Sequence, residues 1–205
     1  MAKPRILLVE GNDDKHAVLA LANYYELPEA FEIADKGGID PLLESLPTQL
    51  KASGLEVLGI LVDADIDLLA RWQSLRSILS QVGYIVPEQP IADGTILRRD
   101  DLPIVGIWLM PDNCLPGILE DFAAALIPGE DSLWPRAQGC VEKIPTEERR
   151  FPVERAAKAK IHTWLAWQEE PGKPIGLAMT MRYLNPNAQQ AQRFVNWLHD
   201  LFVVS

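Results

Sequence analysis

Cysteine is nearly absent from this chain: Cys114 and Cys140 are the only two in 205 residues. Neither sits in a Cys-x-x-Cys or at a ligand spacing from a histidine, which argues against a disulfide framework or a structural zinc site and leaves two free thiols. No apolar run approaches the length of a membrane span. The opening stretch Met1-Ala2-Lys3-Pro4-Arg5 leads straight into a strand-like segment, so a soluble, cytoplasmic protein with no membrane partner is expected. Histidine is scarce too. His16, His162 and His199 are scattered over helical stretches and read as packed or surface groups, not bases. Positive charge is short: 19 Lys and Arg face 29 Asp and Glu, for a net charge of -10. The deficit is local, because residues 1–70 hold thirteen acids against five bases, a balance of -8, and the rest carries only -2. Such a field repels nucleic acid, so tight non-specific duplex binding is not expected, and any nucleic-acid substrate has to be engaged locally or through a protein partner.

What the chain does have is an alternation of short β-branched runs and amphipathic stretches over residues 1–127, the pattern of βα units and hence of a parallel sheet flanked by helices. Strands are expected at 5–9, 31–34, 57–62 and 104–110, with a possible short one at 95–97. Helices are expected from Asn12, as N-cap, to about Tyr25, and over 41–52, 68–82 and 116–126. The helix over 68–82 puts Leu68, Trp72, Leu75, Leu79 and Val82 on one face and ends at Gly83. Beyond residue 128, prolines punctuate helix-like pieces near 154–168 and 188–202, which reads as a helical appendage, 128–205, packed on the α/β domain in one compact unit.

Two acidic clusters stand where apolar runs stop. Glu10 follows Ile6-Leu7-Leu8-Val9, and Asp63-Ala64-Asp65 follows Leu58-Gly59-Ile60-Leu61-Val62, so both should emerge at the C-terminal edge of one sheet, where open α/β folds place ligands. A few carboxylates there suit a hard divalent cation that leaves its other positions to water and substrate. The stretch Val9-Glu10-Gly11-Asn12-Asp13-Asp14 resembles the V-E-G-x-x-D signature of the Toprim (topoisomerase-primase) superfamily, and Val62-Asp63-Ala64-Asp65 resembles its D-x-D. The likeness covers about residues 4–125 and is nearest to stand-alone Toprim-like proteins; the C-terminal part resembles no known nuclease, primase or topoisomerase module. It implies a Toprim/Rossmann-like fold and Mg²⁺- or Mn²⁺-assisted phosphoryl transfer, with Glu10 as general acid or base and Asp63 and Asp65 as metal ligands. The alternative is that Asp63 and Asp65 merely end a strand and begin a loop.

Other positions have paired readings. Asp14 fits the signature as a substrate-side residue, and equally fits a carboxylate placed for the helix dipole. Asp67 is expected to N-cap the helix from Leu68. Lys36-Gly37-Gly38 could bring a charge and bare amides to a phosphate, or could simply turn. Asp112 could ligate a second metal with Glu120-Asp121 nearby; against this stand turn chemistry for Pro111-Asp112-Asn113 and a solvated helix face for Glu120. Lys158 and Lys160 could steady a phosphate, or could belong to a solvated face.

Two functions follow from different classes. One is a metal-dependent, nuclease-like enzyme acting on nucleic-acid phosphodiesters. The other is a catalytically silent Toprim-like module that binds or regulates within a complex, which the missing basic groove favours. A phosphorelay receiver, suggested by Met110-Pro111-Asp112 and Lys173-Pro174, fails on order, because Asp65 lies about 45 residues before Met110.

Overall fold

The computed structural model describes residues 4–203, so Met1-Ala2-Lys3 of the leading stretch lie outside it. Five strands form one sheet: β1 (Arg5–Val9), β2 (Glu32–Asp35), β3 (Val57–Asp63), β4 (Thr95–Leu97) and β5 (Ile104–Met110), in the order β2-β1-β3-β5-β4. All pairings are parallel except β4 with β5. The fold is α/β and Rossmann-like. Its two longest strands, β3 and β5, are central and apolar almost end to end, as strands covered on both faces must be.

Helices close both faces: α1 (Asn12–Tyr24), α2 (Ile39–Gln49), α3 (Leu68–Val82), α4 (Leu119–Ala125), α5 (Leu133–Glu142), α6 (Ala156–Leu165), α7 (Ile175–Thr180) and α8 (Gln189–Phe202). Among the described residues no helix is long and apolar enough to cross a membrane. Alternation along the strands sorts the core. Leu8, Leu58, Ile60, Ile107 and Leu109 face α2 and α3, whereas Leu7, Val9, Leu61 and Trp108 face the side covered by α1, α4 and the C-terminal helices.

Several boundaries differ from the sequence expectation for local reasons. Gly11, not Asn12, is the N-cap of α1, because the Asp14 carboxylate accepts the Gly11 amide at 3.1 Å. The helix expected over 116–126 begins only at Leu119, because Gly117 pairs with Asp65 through two backbone hydrogen bonds of 2.9 and 2.7 Å. Helices α5 and α7 were not expected. Their prolines do not break them, since Pro135 stands in the first turn of α5 and Pro174 caps α7, where no amide is required. Asp67 caps α3 by accepting the Ala70 amide, and Gly83 ends that helix in the left-handed conformation.

Residues after 128 share the sheet's core. Helix α8 lies across β3 and β5, and the close approach rests on Gly59 and Gly106, which are register partners on neighbouring strands. A Cβ at Gly106 would stand 2.2 Å from Leu201 Cδ2 and 3.0 Å from Leu201 Cγ; one at Gly59 would stand 2.7 Å from Leu7 and 2.8 Å from the Phe202 ring. Arg5 fastens the end of this helix by donating to the Phe202 carbonyl, and pairs with Glu56 at 2.9 Å.

Gly106→Ala should therefore destabilise the protein by about 1–3 kcal/mol through overpacking. In urea denaturation, Gly106→Ala combined with Leu201→Ala should cost less than the sum of the two single changes. Strict additivity would mean that α8 does not bear on Gly106.

Candidate functional site

From β1 the chain passes to β2 on one side, while β3 lies on the other, so the order reverses between β1 and β3. Their C-terminal ends frame the crevice in which open α/β sheets hold ligands. Glu10 follows β1 directly, Asp63 is the last residue of β3, Asp14 stands in the first turn of α1 and Glu120 in the first turn of α4. These four carboxylates line one cleft of about 470 Å³ with the Gly37-Gly38 turn and Lys158. Among the described residues lining the cleft, Lys158 is the one cation.

Each carboxylate is fixed by one donor from the protein. Glu10 Oε1 accepts the Asp63 amide at 2.7 Å, which ties the ends of the neighbouring strands. Asp63 Oδ1 accepts the Leu119 amide at 2.9 Å, joining β3 to the start of α4. Asp14 caps α1 as described, and Glu120 meets Lys158 at 2.9 Å. Asp14 and Glu120 are only 8 % and 4 % exposed, and burial in such company disfavours charge. Burial first, then the charges of Asp14 and Glu10, pushes Asp63 up to about 9. Burial and Glu10 push Asp14 up to about 7. Burial also raises Glu10, against the opposing effect of the Asp63 amide. Lys158 is raised by its hydrogen bond to Glu120, so it stays charged.

Of the residues singled out in the sequence, Glu10, Asp14, Asp63 and Gly37 line this cleft. Asp65 does not. It has a positive φ of 54° and turns outward to pair with Arg71, whose Nε also donates to the Asp63 carbonyl at 3.0 Å. Asp112 is also outside the cleft. Its Oδ1 accepts the amides of Cys114 and Leu115 at 2.9 and 2.8 Å, so the turn reading describes it. Lys160 pairs with Glu142 at 2.6 Å, and Lys158, two residues earlier and so on nearly the opposite side of α6, is the lysine that reaches the cleft. Lys36 extends the strand pairing through its amide, and its side chain does not line the cleft. The Gly37 and Gly38 amides are committed to Asp35 Oδ1 and to the Glu10 carbonyl, at 2.8 and 2.7 Å. Both glycines stand at positive φ, 73° and 132°, which the turn requires of them, and a Cβ at Gly37 would meet nothing within 4 Å. Glu120 carries more of the site than its sequence position suggested, and the signal for it was its place in the first turn of a helix after a buried strand.

The donor set is all oxygen, as a hard divalent ion requires. Among the described residues no group of three or more His, Cys, Asp or Glu side chains is arranged to enclose a metal ion as it stands. Mg²⁺ asks for less, being held by one or two carboxylates while its other positions keep water or phosphate. Glu10 and Asp63 are oxygen donors that fit that demand, and a cation there would offset the burial and the mutual repulsion that lift Asp63 and Asp14.

A family model described as "Protein of unknown function (DUF3226)" matches residues 4–203. The chain belongs to the DUF3226 family. The match takes in the sheet and the helices beyond residue 128 alike, so the DUF3226 unit includes both the cleft's strands and Lys158 on α6. No curated protein and no solved structure matches the chain.

Because Asp14 and Asp63 are raised in the folded state, they bind more protons folded than unfolded, and stability falls as pH rises. The loss starts above the ordinary aspartate value of 3.8 and is complete only above about 9, where Asp63 is charged. Asp63→Asn keeps an acceptor for the Leu119 amide. In chelator, its thermal midpoint at pH 8 should exceed that of the parent protein, and the decline from pH 5 to pH 9 should flatten. A lower midpoint at pH 8 would contradict the repulsive cluster.

Proposed function

We propose that this DUF3226 protein is a Toprim-like, Mg²⁺-dependent phosphoryl-transfer protein acting on nucleic-acid phosphodiesters. The observation that carries the reading is the convergence of Glu10, Asp14, Asp63 and Glu120, from four different elements, on one cleft at the reversal of strand order. The Val9-Glu10-Gly11 and Asp63-Ala64-Asp65 signatures bring Glu10 and Asp63 to that cleft, and support the reading further. Asp63 and Glu10 would hold the cation, with Asp14 and Glu120 adding negative potential. A divalent ion so held supplies Lewis-acid polarisation of a phosphoryl oxygen and offsets the developing charge. Glu10 has a raised proton affinity and a carboxylate fixed by the Asp63 amide, which suits it to exchange a proton with an attacking or leaving oxygen. Lys158, whose side chain is half exposed, can donate to a phosphate oxygen while it keeps its bond to the buried Glu120, since an ammonium carries three donors.

A second reading, a catalytically silent module working within a complex, is favoured by the single cation in the cleft. Cleavage of labelled single-stranded and duplex DNA and RNA in Mg²⁺, Mn²⁺ or chelator separates the two. The enzyme reading expects metal-dependent cutting that Asp63→Asn abolishes and Glu10→Gln lowers about 100-fold or more. Cutting that both variants retain would sink it. Inert protein that nonetheless binds Mg²⁺ in calorimetry, and loses that binding in Asp63→Asn, selects the silent module.

A further inference from the structure

A second concave surface, about 520 Å³, lies between α5 and the turn that follows α6, and its character is opposite to that of the acidic cleft. Arg136, Gly139, Cys140 and Lys143 follow one another at steps of three, one and three residues, so they lie along one side of α5 and its C-cap. Trp167 stands opposite, 40 % exposed, and among the described residues no carboxylate lines the groove. Of the neighbouring acids, Glu142 pairs with Lys160 and Glu170 with Lys173. Among the described residues neither Arg136 nor Lys143 has an ion-pair partner. In a protein of net charge -10, two uncompensated cations beside an exposed indole are a local positive site.

Gly139 sharpens the point. It lies inside α5, where glycine is the least favourable residue after proline, and a Cβ there would meet nothing within 4 Å. No packing accounts for the missing side chain. Its effect is to leave the groove floor bare, which lets a flat group approach the helix backbone.

We infer that this groove binds single-stranded nucleic acid, a base stacking on Trp167 while Arg136 and Lys143 hold the adjoining phosphates. An indole face accepts any base and two cations track a backbone, which is the chemistry of single-strand recognition. A duplex keeps its bases stacked inside and offers no face to Trp167. The inference rests on the phosphodiester reading above and narrows its substrate to single strands. Helix α6 links the two places: Lys158 reaches the cleft near its start, and Trp167 follows its end, roughly 14 Å away by the helical rise.

The test is fluorescence anisotropy of a labelled single-stranded oligonucleotide and of the same sequence as duplex, at low salt in chelator. The single strand should bind more tightly than the duplex. Trp167→Ala should weaken binding about 5- to 150-fold, the range of one stacking contact, while Trp167→Phe, which keeps a ring, should retain most of it. Gly139→Glu should abolish binding with the circular dichroism unchanged, because it improves helix propensity while placing a carboxylate in open space. No binding, equal binding of duplex or polyglutamate, or indifference to both Trp167→Ala and Gly139→Glu overturns the inference. Chelator separates this outcome from that of the cleft. Strand binding through Trp167 without metal-dependent cleavage keeps the inference and sinks the catalytic reading, whereas cleavage that these variants leave untouched does the reverse.

Discussion

The Glu10 carboxylate accepts the Asp63 amide across two neighbouring parallel strands, and this one bond sets what surrounds it. It forms because the register of β1 on β3 carries Val9 beside Leu61, so the residues that follow emerge at the same edge. Parallel pairing makes this possible: strands running the same way deliver their C-terminal residues to one side, and connections between them return as helices whose N-termini face that side. Asp14 and Glu120 come to the cleft by that second route, each in the first turn of its helix. A helix start tolerates a carboxylate well, since the exposed amides and the dipole both favour negative charge. The topology thus supplies one sheet edge at which four acids gather, three of them on backbone amides and Glu120 on Lys158.

Gathering them is costly, and the cost is met far from the cleft. The face beneath α8 is a continuous apolar layer in which the Trp108, Phe194 and Trp197 rings meet edge-on or tilted and Phe202 stacks on Phe31. Glycines at 59 and 106 let that helix sink onto the sheet, so dispersion contacts are made at the closest spacing the backbone permits. Stability accumulated there allows a strained electrostatic arrangement at the strand ends, a division common to proteins whose sites work against their folds.

The long central strands and α3 were legible in the sequence because burial on both faces, or on one helical face, leaves an unbroken or periodic apolar pattern. Helices α5 and α7 were not, because they are short and their prolines resemble breakers until the three-dimensional position, first turn or cap, is known. The site was legible in part for the same kind of reason. Glu10 and Asp63 end apolar runs, a signal carried by their immediate neighbours. Asp65 and Asp112 give the same local signal, yet a backbone bridge from Asp65 to Gly117 and an Asx turn at Asp112 take them elsewhere. The choice between Lys158 and Lys160 depends on the rotation of α6, which two lysines separated by a single residue in a string of letters do not reveal.

The fold's use of these acids also bears on why they are acids at all. Glu10, Asp63 and Asp14 each accept one backbone amide, and the carboxamide oxygen of a Gln or Asn could accept the same hydrogen at nearly the same place. Such amides would carry no charge into a buried cluster and would spare it the burial cost, and after it the mutual repulsion, that lift Asp63 and Asp14 so far. Lys158 offsets Glu120 and does not pair with the other three. The structural role therefore calls for acceptors, and the charge is surplus to it. Surplus negative charge, buried at the point where a sheet of this topology opens to ligands, is what the proposed divalent cation would offset, and oxygen donors of this kind suit such an ion.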